Sequence, residues 1–165
     1  METVAVYWEP KIKTYGFYDV SDLSLLELGF QYGRLSEWSL GLYEMEDLGI
    51  SLELVSVQYE GEKGLRVYVL FQRRWEERLL HHVDKVIRKD EKVLLDLTSP
   101  VELLFFFGPH FGDRYGIVDS VFKVLTHNDI TVLATACSGS AVYLVLPEGM
   151  AYKTKALLGE LFEIP

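Results

Sequence analysis

The chain has 165 residues, which is enough for one average domain or two small ones of about 80 residues each. Hydrophobic residues make up 49% of the chain and charged residues 25%, a composition that predicts a folded protein with a sizeable core. The formal net charge of -9 argues against broad binding to nucleic acids or anionic membranes, because both need a basic surface.

The single cysteine, Cys137, excludes an intramolecular disulfide and a zinc site built from several cysteines. The longest apolar runs, such as residues 103–107, are too short to cross a bilayer, and the N-terminus lacks the pattern of a signal peptide. We therefore expect a cytoplasmic α+β protein that uses no cofactor or metal and binds neither a membrane nor nucleic acid.

The first half of the chain predicts a regular series of strands and helices. In chain order these are a strand at 23–30, a helix at 37–48, strands at 50–57 and 65–71, a helix at 75–87 and a strand at 93–97. Leu65, Val67, Val69 and Phe71 alternate with other residues, so we expect one buried face on that strand.

The second half predicts the same series, with its loops at matching places. Its elements are a strand at 101–107, a loop at 108–116, a helix at 117–125, a strand at 130–136, a turn at 138–140, a strand at 141–146 and a helix at 150–161. Aligning Ile50 with Ile130 places the two halves in register, which indicates a weak tandem repeat. We expect a first unit at 21–99 and a second unit at 100–165.

The second unit lacks a closing strand, unless residues 162–164 supply a short one, whereas two spare strands are predicted near the N-terminus. These lie at 4–8 and 12–20, and counting strands suggests that one of them completes the second sheet. Residues 1–20 are therefore assigned to the second unit, which would interlock the two halves.

The second half resembles an ACT domain, especially the ACT domains that follow the kinase domain of aspartokinases. The resemblance rests on the strand at 102–107, the loop at 108–116, the helix at 117–125, the stretch 128–132 and the final pattern at 158–162. The stretch Asn128-Asp129-Ile130-Thr131-Val132 stands where the family shows a glycine or similar turn residue followed by Ile-Asn-Ile or Ile-Asn-Val, and Gly159 replaces a usual histidine. The first half is connected to the family only through the repeat.

The resemblance implies two ferredoxin-like βαββαβ units, each with an antiparallel sheet and its helices on one face. ACT units pair, and small ligands, usually amino acids, bind between them. The sequence is too short to hold a kinase domain beside two such units. The implied protein is a tandem ACT regulatory protein without catalytic activity, which would form a homodimer and act by allosteric regulation on an enzyme that the sequence does not identify.

The loop at 108–116 is the best candidate for a binding site. Its glycines, Gly108, Gly112 and Gly116, let the backbone approach a ligand, and the helix that follows offers free N–H groups to a carboxylate. Asp113 could pair with an α-amino group and Arg114 with a second carboxylate. The alternative is that the glycines only form a turn and Asp113 only caps the helix.

The family places its ligand contacts in this loop and at the start of the following strand. Transferred to this chain, the contacts are Phe111, Gly112, Asp113, Arg114, Tyr115, Gly116, Ile117, Asn128, Asp129 and Ile130. The corresponding loop of the first half is a weaker candidate and consists of Tyr32, Gly33, Arg34, Leu35 and Ser36.

Other functions stay open at this point. A module without a ligand could act through dimerisation, with Tyr15, Phe17 and Tyr18 among the aromatic residues that would line an interface. An enzyme is disfavoured because no acid–base or nucleophile pattern is present. Cys137 is interpreted as a small core residue, and the charge run 73–78 as the polar side of an amphipathic helix.

Overall fold

The structure is a computed structural model. It describes residues 11–31, 33, 36, 41, 43, 49–87, 93–109, 111–112 and 114–163. The chain divides into two compact units, a first unit at Asp22–Val101 and a second unit that combines Met1–Ser21 with Glu102–Pro165.

The described residues form strands and helices in mixed order. The strands are β1 (Ile12–Lys13), β2 (Gly16–Phe30), β3 (Leu52–Tyr59), β4 (Leu65–Gln72), β5 (Leu94–Phe107), β6 (Ala134–Cys137), β7 (Ala141–Pro147) and β8 (Phe162–Glu163). The α-helices are α1 (Glu76–Ile87), α2 (Ile117–His127) and α3 (Met150–Leu161), and short 3-10 turns lie at Gly61–Lys63 and Arg73–Trp75. None of the three α-helices has the length and apolar character needed to cross a bilayer.

The first unit contains strands in the order β3-β4-β2-β5, and β4 runs antiparallel to both of its neighbours. The predicted alternation places Val67, Val69 and Phe71 in the core, against Leu79 and Val83 of α1. The other face of β4 is also buried at Tyr68 and Leu70, which differs from the prediction of one buried face. Leu70 pairs with the buried Leu25 of β2, so the interior strand packs on both sides.

The second unit contains strands in the order β2-β5-β7-β6, together with a separate parallel pair of β1 and β8. Both α2 and α3 bury apolar residues in one core with alternating residues of β5 and β7. A cluster of aromatic rings lies in that core, with Phe106 at 5.0 Å from both Phe17 and Phe162, measured between ring centroids. Phe111 of the loop joins the cluster at 6.0 Å from Phe106.

The segment just before β2 is tied to the far end of the chain and to the end of β5. The Thr14 N–H donates to the Glu163 carbonyl at 3.0 Å, and the Tyr15 N–H donates to the Phe107 carbonyl at 2.8 Å. The buried Thr14 hydroxyl also donates to the Phe107 carbonyl, at 2.7 Å. Residues 12–15 therefore hold together two segments that lie far apart in the sequence.

Three features differ from the sequence analysis or lie outside the described residues. The strands predicted at 93–97 and 101–107 are one continuous strand, β5, which runs through Pro100. The strand expected from Ile130 begins only at Ala134, and Ile130 itself is a buried core residue. Residues 4–8 and most of the predicted helix at 37–48 lie outside the described residues.

Candidate functional site

A hollow of about 430 Å³ lies beside the N-terminal end of α2, and we call it the α2 hollow. It lies in the second unit, between the loop that follows β5 and the hairpin that joins β6 to β7. Its lining residues are Phe111, Gly112, Arg114, Tyr115, Gly116, Ile117, Val118, Asp119, Cys137, Ser138 and Val142. The structure thus gathers every described residue of the predicted stretch 111–117 around one hollow.

The backbone of the loop explains why glycines stand here. A Cβ atom on Gly112 would lie 2.9 Å from the Gly139 carbonyl oxygen, so only glycine lets the loop touch the hairpin turn. Gly116 has a φ of 83°, a left-handed conformation that precedes the first residue of α2. Gly112 thus lets the loop contact the hairpin, and Gly116 turns the backbone into the first residue of α2.

The hollow has an apolar floor and a polar turn on one wall. Ile117 and Val142 are buried in the core, and the half-buried Phe111 packs against it. On the hairpin side, the Ser138 hydroxyl accepts a hydrogen bond from the Ala141 N–H at 3.1 Å. That bond fixes the turn and leaves the Ser138 hydroxyl hydrogen available to a ligand.

Electrostatically, the α2 hollow favours a carboxylate. The first backbone bond of α2 is donated by the Ser120 N–H to the Gly116 carbonyl at 2.9 Å, so the N–H groups of Ile117 to Asp119 have no carbonyl partner within the helix. The helix dipole adds positive potential at the same place. Asp119 is engaged with Lys123 at 2.7 Å, whereas Arg114 has no carboxylate partner among the described residues.

The predicted contacts at Asn128, Asp129 and Ile130 lie elsewhere in the second unit. They follow the C-terminal end of α2, about 16 Å along the helix from the hollow at 1.5 Å per residue. The Asn128 side-chain amide donates to the Val124 carbonyl at 2.9 Å, and the Ile130 N–H donates to the Leu125 carbonyl at 3.0 Å. Within one copy these residues end the helix and do not line the hollow.

Some of the predicted site residues lie outside the described residues, and others are described only as exposed. Asp113 of the main loop and Tyr32, Arg34 and Leu35 of the weaker loop lie outside the described residues. Gly33 and Ser36 of the weaker loop are described and are exposed. The roles assigned to all of these residues remain predictions.

The sequence analysis missed the hairpin wall of the hollow. Cys137 is exposed at the end of β6, although a small core residue was expected, and Ser138 was interpreted only as part of a turn. Both reach the loop because β7 lies next to β5 in the sheet. The sequence analysis also missed Val118 and Asp119, which line the hollow from the first turn of α2. The predicted start of the helix was the one signal that could have identified them, because residues of the first helical turn lie next to the loop before it.

Cys137 should react slowly as a nucleophile at neutral pH. Desolvation by burial raises the pKa of its thiol although the residue as a whole is exposed, and a hydrogen bond with Thr135 opposes this more weakly. We expect the alkylation rate with iodoacetamide to reach half its maximum at a higher pH in the folded chain than in the chain unfolded by urea. An equal or lower midpoint in the folded chain would contradict this assignment.

Within the described residues, no group of three or more histidine, cysteine, aspartate or glutamate residues has an arrangement suited to a metal ion. The residues that line the α2 hollow offer hydrogen bonds, charge and apolar contact. Its floor accepts an apolar group, its amide edge accepts an anion, and Arg114 and Ser138 add polar contacts at the rim.

Comparison with known proteins identifies a fold rather than a close relative. No protein-family model and no curated protein sequence matches the chain. The regulatory subunit of aspartate kinase from Thermus flavus has a TM-score of 0.79 at 10% identity, and the match covers 90% of this chain and 98% of that one.

Two complete aspartate kinases match through part of their length. The Synechocystis enzyme has a TM-score of 0.81 at 11% identity, with 93% of this chain and 27% of that chain covered. E. coli aspartokinase III in complex with lysine and aspartate has a TM-score of 0.66 at 16% identity, with 95% and 35% covered. The resemblance to the regulatory region of aspartokinases is thus confirmed at the level of the fold, which this chain shares over nearly its whole length.

Proposed function

We propose that this chain is a non-catalytic regulatory protein that binds an amino acid in the α2 hollow. The observation that carries the proposal is the meeting, around one apolar floor, of the helix N–H groups and the Arg114 guanidinium, for which the described residues provide no carbonyl or carboxylate partner. Such a site can hold the α-carboxylate at the helix N-terminus while the side chain of the ligand contacts Ile117 and Val142.

The fold supports the regulatory part of the proposal. The chain matches regulatory subunits of aspartate kinase, and the E. coli enzyme among the structural neighbours was solved with lysine and aspartate. These two amino acids are accordingly the first ligands to test. Binding would order the loop and shift the way in which the protein associates with itself or with the enzyme that it regulates.

The proposal includes two ferredoxin-like ACT units. In the first unit the strands follow the chain order β2, β3, β4, β5 and lie side by side as β3-β4-β2-β5. In the second unit β5, β6 and β7 lie in the order β6-β7-β5, and the N-terminal part of β2 takes the remaining place beside β5. This repeated order favours a division in which the residues before the first unit complete the second sheet.

A second copy of the chain would complete the predicted set of contacts. Asn128, Asp129 and Ile130 lie at the opposite end of α2 from the hollow, so one copy cannot bring them to the same ligand. We propose that they contribute to the hollow of a partner copy in a homodimer. That arrangement agrees with binding between paired ACT units.

Thermal-shift and calorimetric titration with the twenty amino acids tests the proposal. An amino acid present at one hundred times its dissociation constant should stabilise the fold by about 2.7 kcal/mol. The single thiol of Cys137 lines the hollow and provides an independent reading, because a bound ligand should slow its alkylation. If no amino acid shifts the transition or protects the thiol, the binding proposal is wrong.

Replacing Arg114 by glutamine should weaken binding of the identified amino acid about tenfold, as expected for the loss of a charge-assisted hydrogen bond. The unfolding temperature without ligand should stay unchanged, because Arg114 has no ion pair among the described residues. Lys153→Gln, on the exposed side of α3, is the charge-matched control and should bind as the parent does. Equal dissociation constants for both variants would remove Arg114 from the site.

A second function, a dimerisation module that needs no ligand, is favoured by one observation. On the side of the second sheet away from its helices, Tyr18 stacks on Phe105 and Phe107 with ring centroids at 5.4 and 5.5 Å. Phe105 stacks in turn on Tyr143 at 5.8 Å, while Tyr18 is 45% exposed. Stacked, partly exposed aromatic rings of this kind are typical of protein interfaces.

The dimer is tested by Tyr18→Glu, which places a charge in the aromatic stack. Light scattering should show a dimer for the parent chain and a dissociation constant raised at least about tenfold for the variant, because burying an unpaired charge is costly. Tyr152→Glu is the matched control, since Tyr152 is 86% exposed on α3 of the same unit. A monomeric parent, or a variant that dimerises as the parent does, contradicts this function.

A further inference from the structure

The first unit carries a second hollow at the start of α1, far along the sequence from the loop of the α2 hollow. It has a volume of about 530 Å³ and is lined by Arg74, Trp75, Glu77, Arg78 and His81. We call it the Trp75 groove. In sequence these residues had been interpreted as the solvated face of a helix, and the proposed function makes no use of them.

Two guanidinium groups converge on one indole ring in this groove. The Arg74 Cζ atom lies 5.2 Å from the centroid of the Trp75 ring and the Arg78 Cζ atom 5.8 Å from it. Arg78 and His81 are three residues apart on one face of α1, and Arg74 lies in the 3-10 turn just before that helix. Cation–π attraction thereby holds two positive charges next to each other before any partner arrives.

Neither arginine has a carboxylate partner among the described residues, which is unusual in a chain with 25 acidic and 16 basic residues. Other arginines of the same unit are paired. The Arg66 Nη2 atom donates to Glu60 Oε2 at 3.0 Å, and Arg73 lies 3.7 Å from Asp22. Within the part of the chain that the structure describes, no carboxylate neutralises Arg74 or Arg78, so both charges can serve a partner protein.

We propose that the Trp75 groove docks a carboxylate-rich peptide segment of a partner protein. Each guanidinium can hold a carboxylate through two parallel hydrogen bonds, and the Trp75 ring offers apolar contact to a side chain between the two carboxylates. The arginines are already positioned over the ring, so binding orders little that was free before. This inference is independent of the proposed function, because the groove lies in the first unit and the α2 hollow in the second.

The lining favours spaced carboxylates over the dense phosphates of a nucleic acid. Glu77 lies within the groove and repels a continuous polyanion, whereas a peptide can place its charges on either side of it. The net charge of -9 opposes polyanions further, because a protein gains affinity for nucleic acid by neutralising many phosphates at once. A short acidic peptide can bind through the guanidinium groups of Arg74 and Arg78 alone.

The test is an NMR titration of the full chain with ¹⁵N-labelled indoles. The probe is a short glutamate-rich peptide with a central leucine, and the matched peptide carries glutamine at every glutamate. The Trp75 indole signal, assigned with Trp75→Phe, should shift saturably with the glutamate peptide. The dissociation constant should be about tenfold higher, or more, for the glutamine peptide and for the double variant Arg74→Gln/Arg78→Gln.

Arg73→Gln is the matched control, because Arg73 is adjacent in sequence but paired with Asp22 and absent from the lining of the groove. It should leave the dissociation constant within about twofold of the parent value. The proposal is overturned if the Trp75 signal does not move, if the double variant binds as tightly as the parent, or if a single-stranded oligonucleotide binds more tightly than the peptide.

Discussion

Replacing Phe106 by alanine is expected to lower the free energy of unfolding by about 3–5 kcal/mol, a large part of the stability of a domain of this size. Phe106 is fully buried in the second unit, and its ring contacts those of Phe17, Phe111 and Phe162. The substitution would leave a cavity between the three remaining aromatic rings, and the surrounding structure can collapse only in part.

Urea unfolding followed by circular dichroism measures the loss. Tyr152→Ala, at a position that is 86% exposed in the same unit, should change the free energy of unfolding by no more than about 0.5 kcal/mol. Because Phe111 belongs to both the aromatic cluster and the lining of the α2 hollow, Phe106→Ala should also speed the alkylation of Cys137. A loss of less than about 1 kcal/mol would show that the cluster is not a tight core.

A methyl group added at Gly108 should destabilise the second unit by about 1–3 kcal/mol or more. The Cβ atom of Gly108→Ala would lie 2.4 Å from the Lys13 carbonyl oxygen and 2.6 Å from the Phe111 ring. The first of these atoms belongs to the backbone of β1, which is held against β8, so the clash cannot be relieved by rotating a side chain. Residues 12–15 would have to move away from the end of β5.

Hydrogen exchange locates the effect of Gly108→Ala, because the amides of Thr14 and Tyr15 should lose protection as their bonds to Glu163 and Phe107 open. The control is Gly159→Ala in α3, where no heavy atom lies within 4 Å of the added Cβ. That change should stabilise the chain by about 0.5–1 kcal/mol, since alanine favours a helix over glycine. Equal effects of the two substitutions would contradict the close packing of the loop against β1.

Local sequence patterns were sufficient to predict the loop and the helix that line the α2 hollow. The helical spacing from Ile117 to Leu125 predicted α2, and the glycines before it predicted a loop at its N-terminal end. These are properties of neighbouring residues, so they can be read without knowing what packs against them. The stretch 111–117 was likewise placed at one site, and its described residues share one hollow.

Long-range pairing limited the prediction elsewhere. Cys137 and Ser138 line the hollow because β7 lies next to β5, and no residue near Cys137 in the sequence carries that information. In the same way, Asn128 and Ile130 match a family pattern of contacts, yet the length of α2 separates them from the loop within one copy. Arg74 and Arg78 looked like ordinary solvated charges until the position of the Trp75 ring was known.

The sequence by itself determined the class of fold, the order of most elements and the loop that lines the α2 hollow. From the net charge of -9 it also indicated that any anionic ligand would have to be held by local groups. Periodicity and turn chemistry act over a few residues, and they do not depend on the rest of the chain. The tertiary structure alone decided that β5 is continuous, that residues 12–15 lock onto β8 and the end of β5, and that a hairpin forms the second wall of the hollow. All three features depend on the pairing of strands that are distant in the sequence, and that pairing is determined by the packing of the whole core.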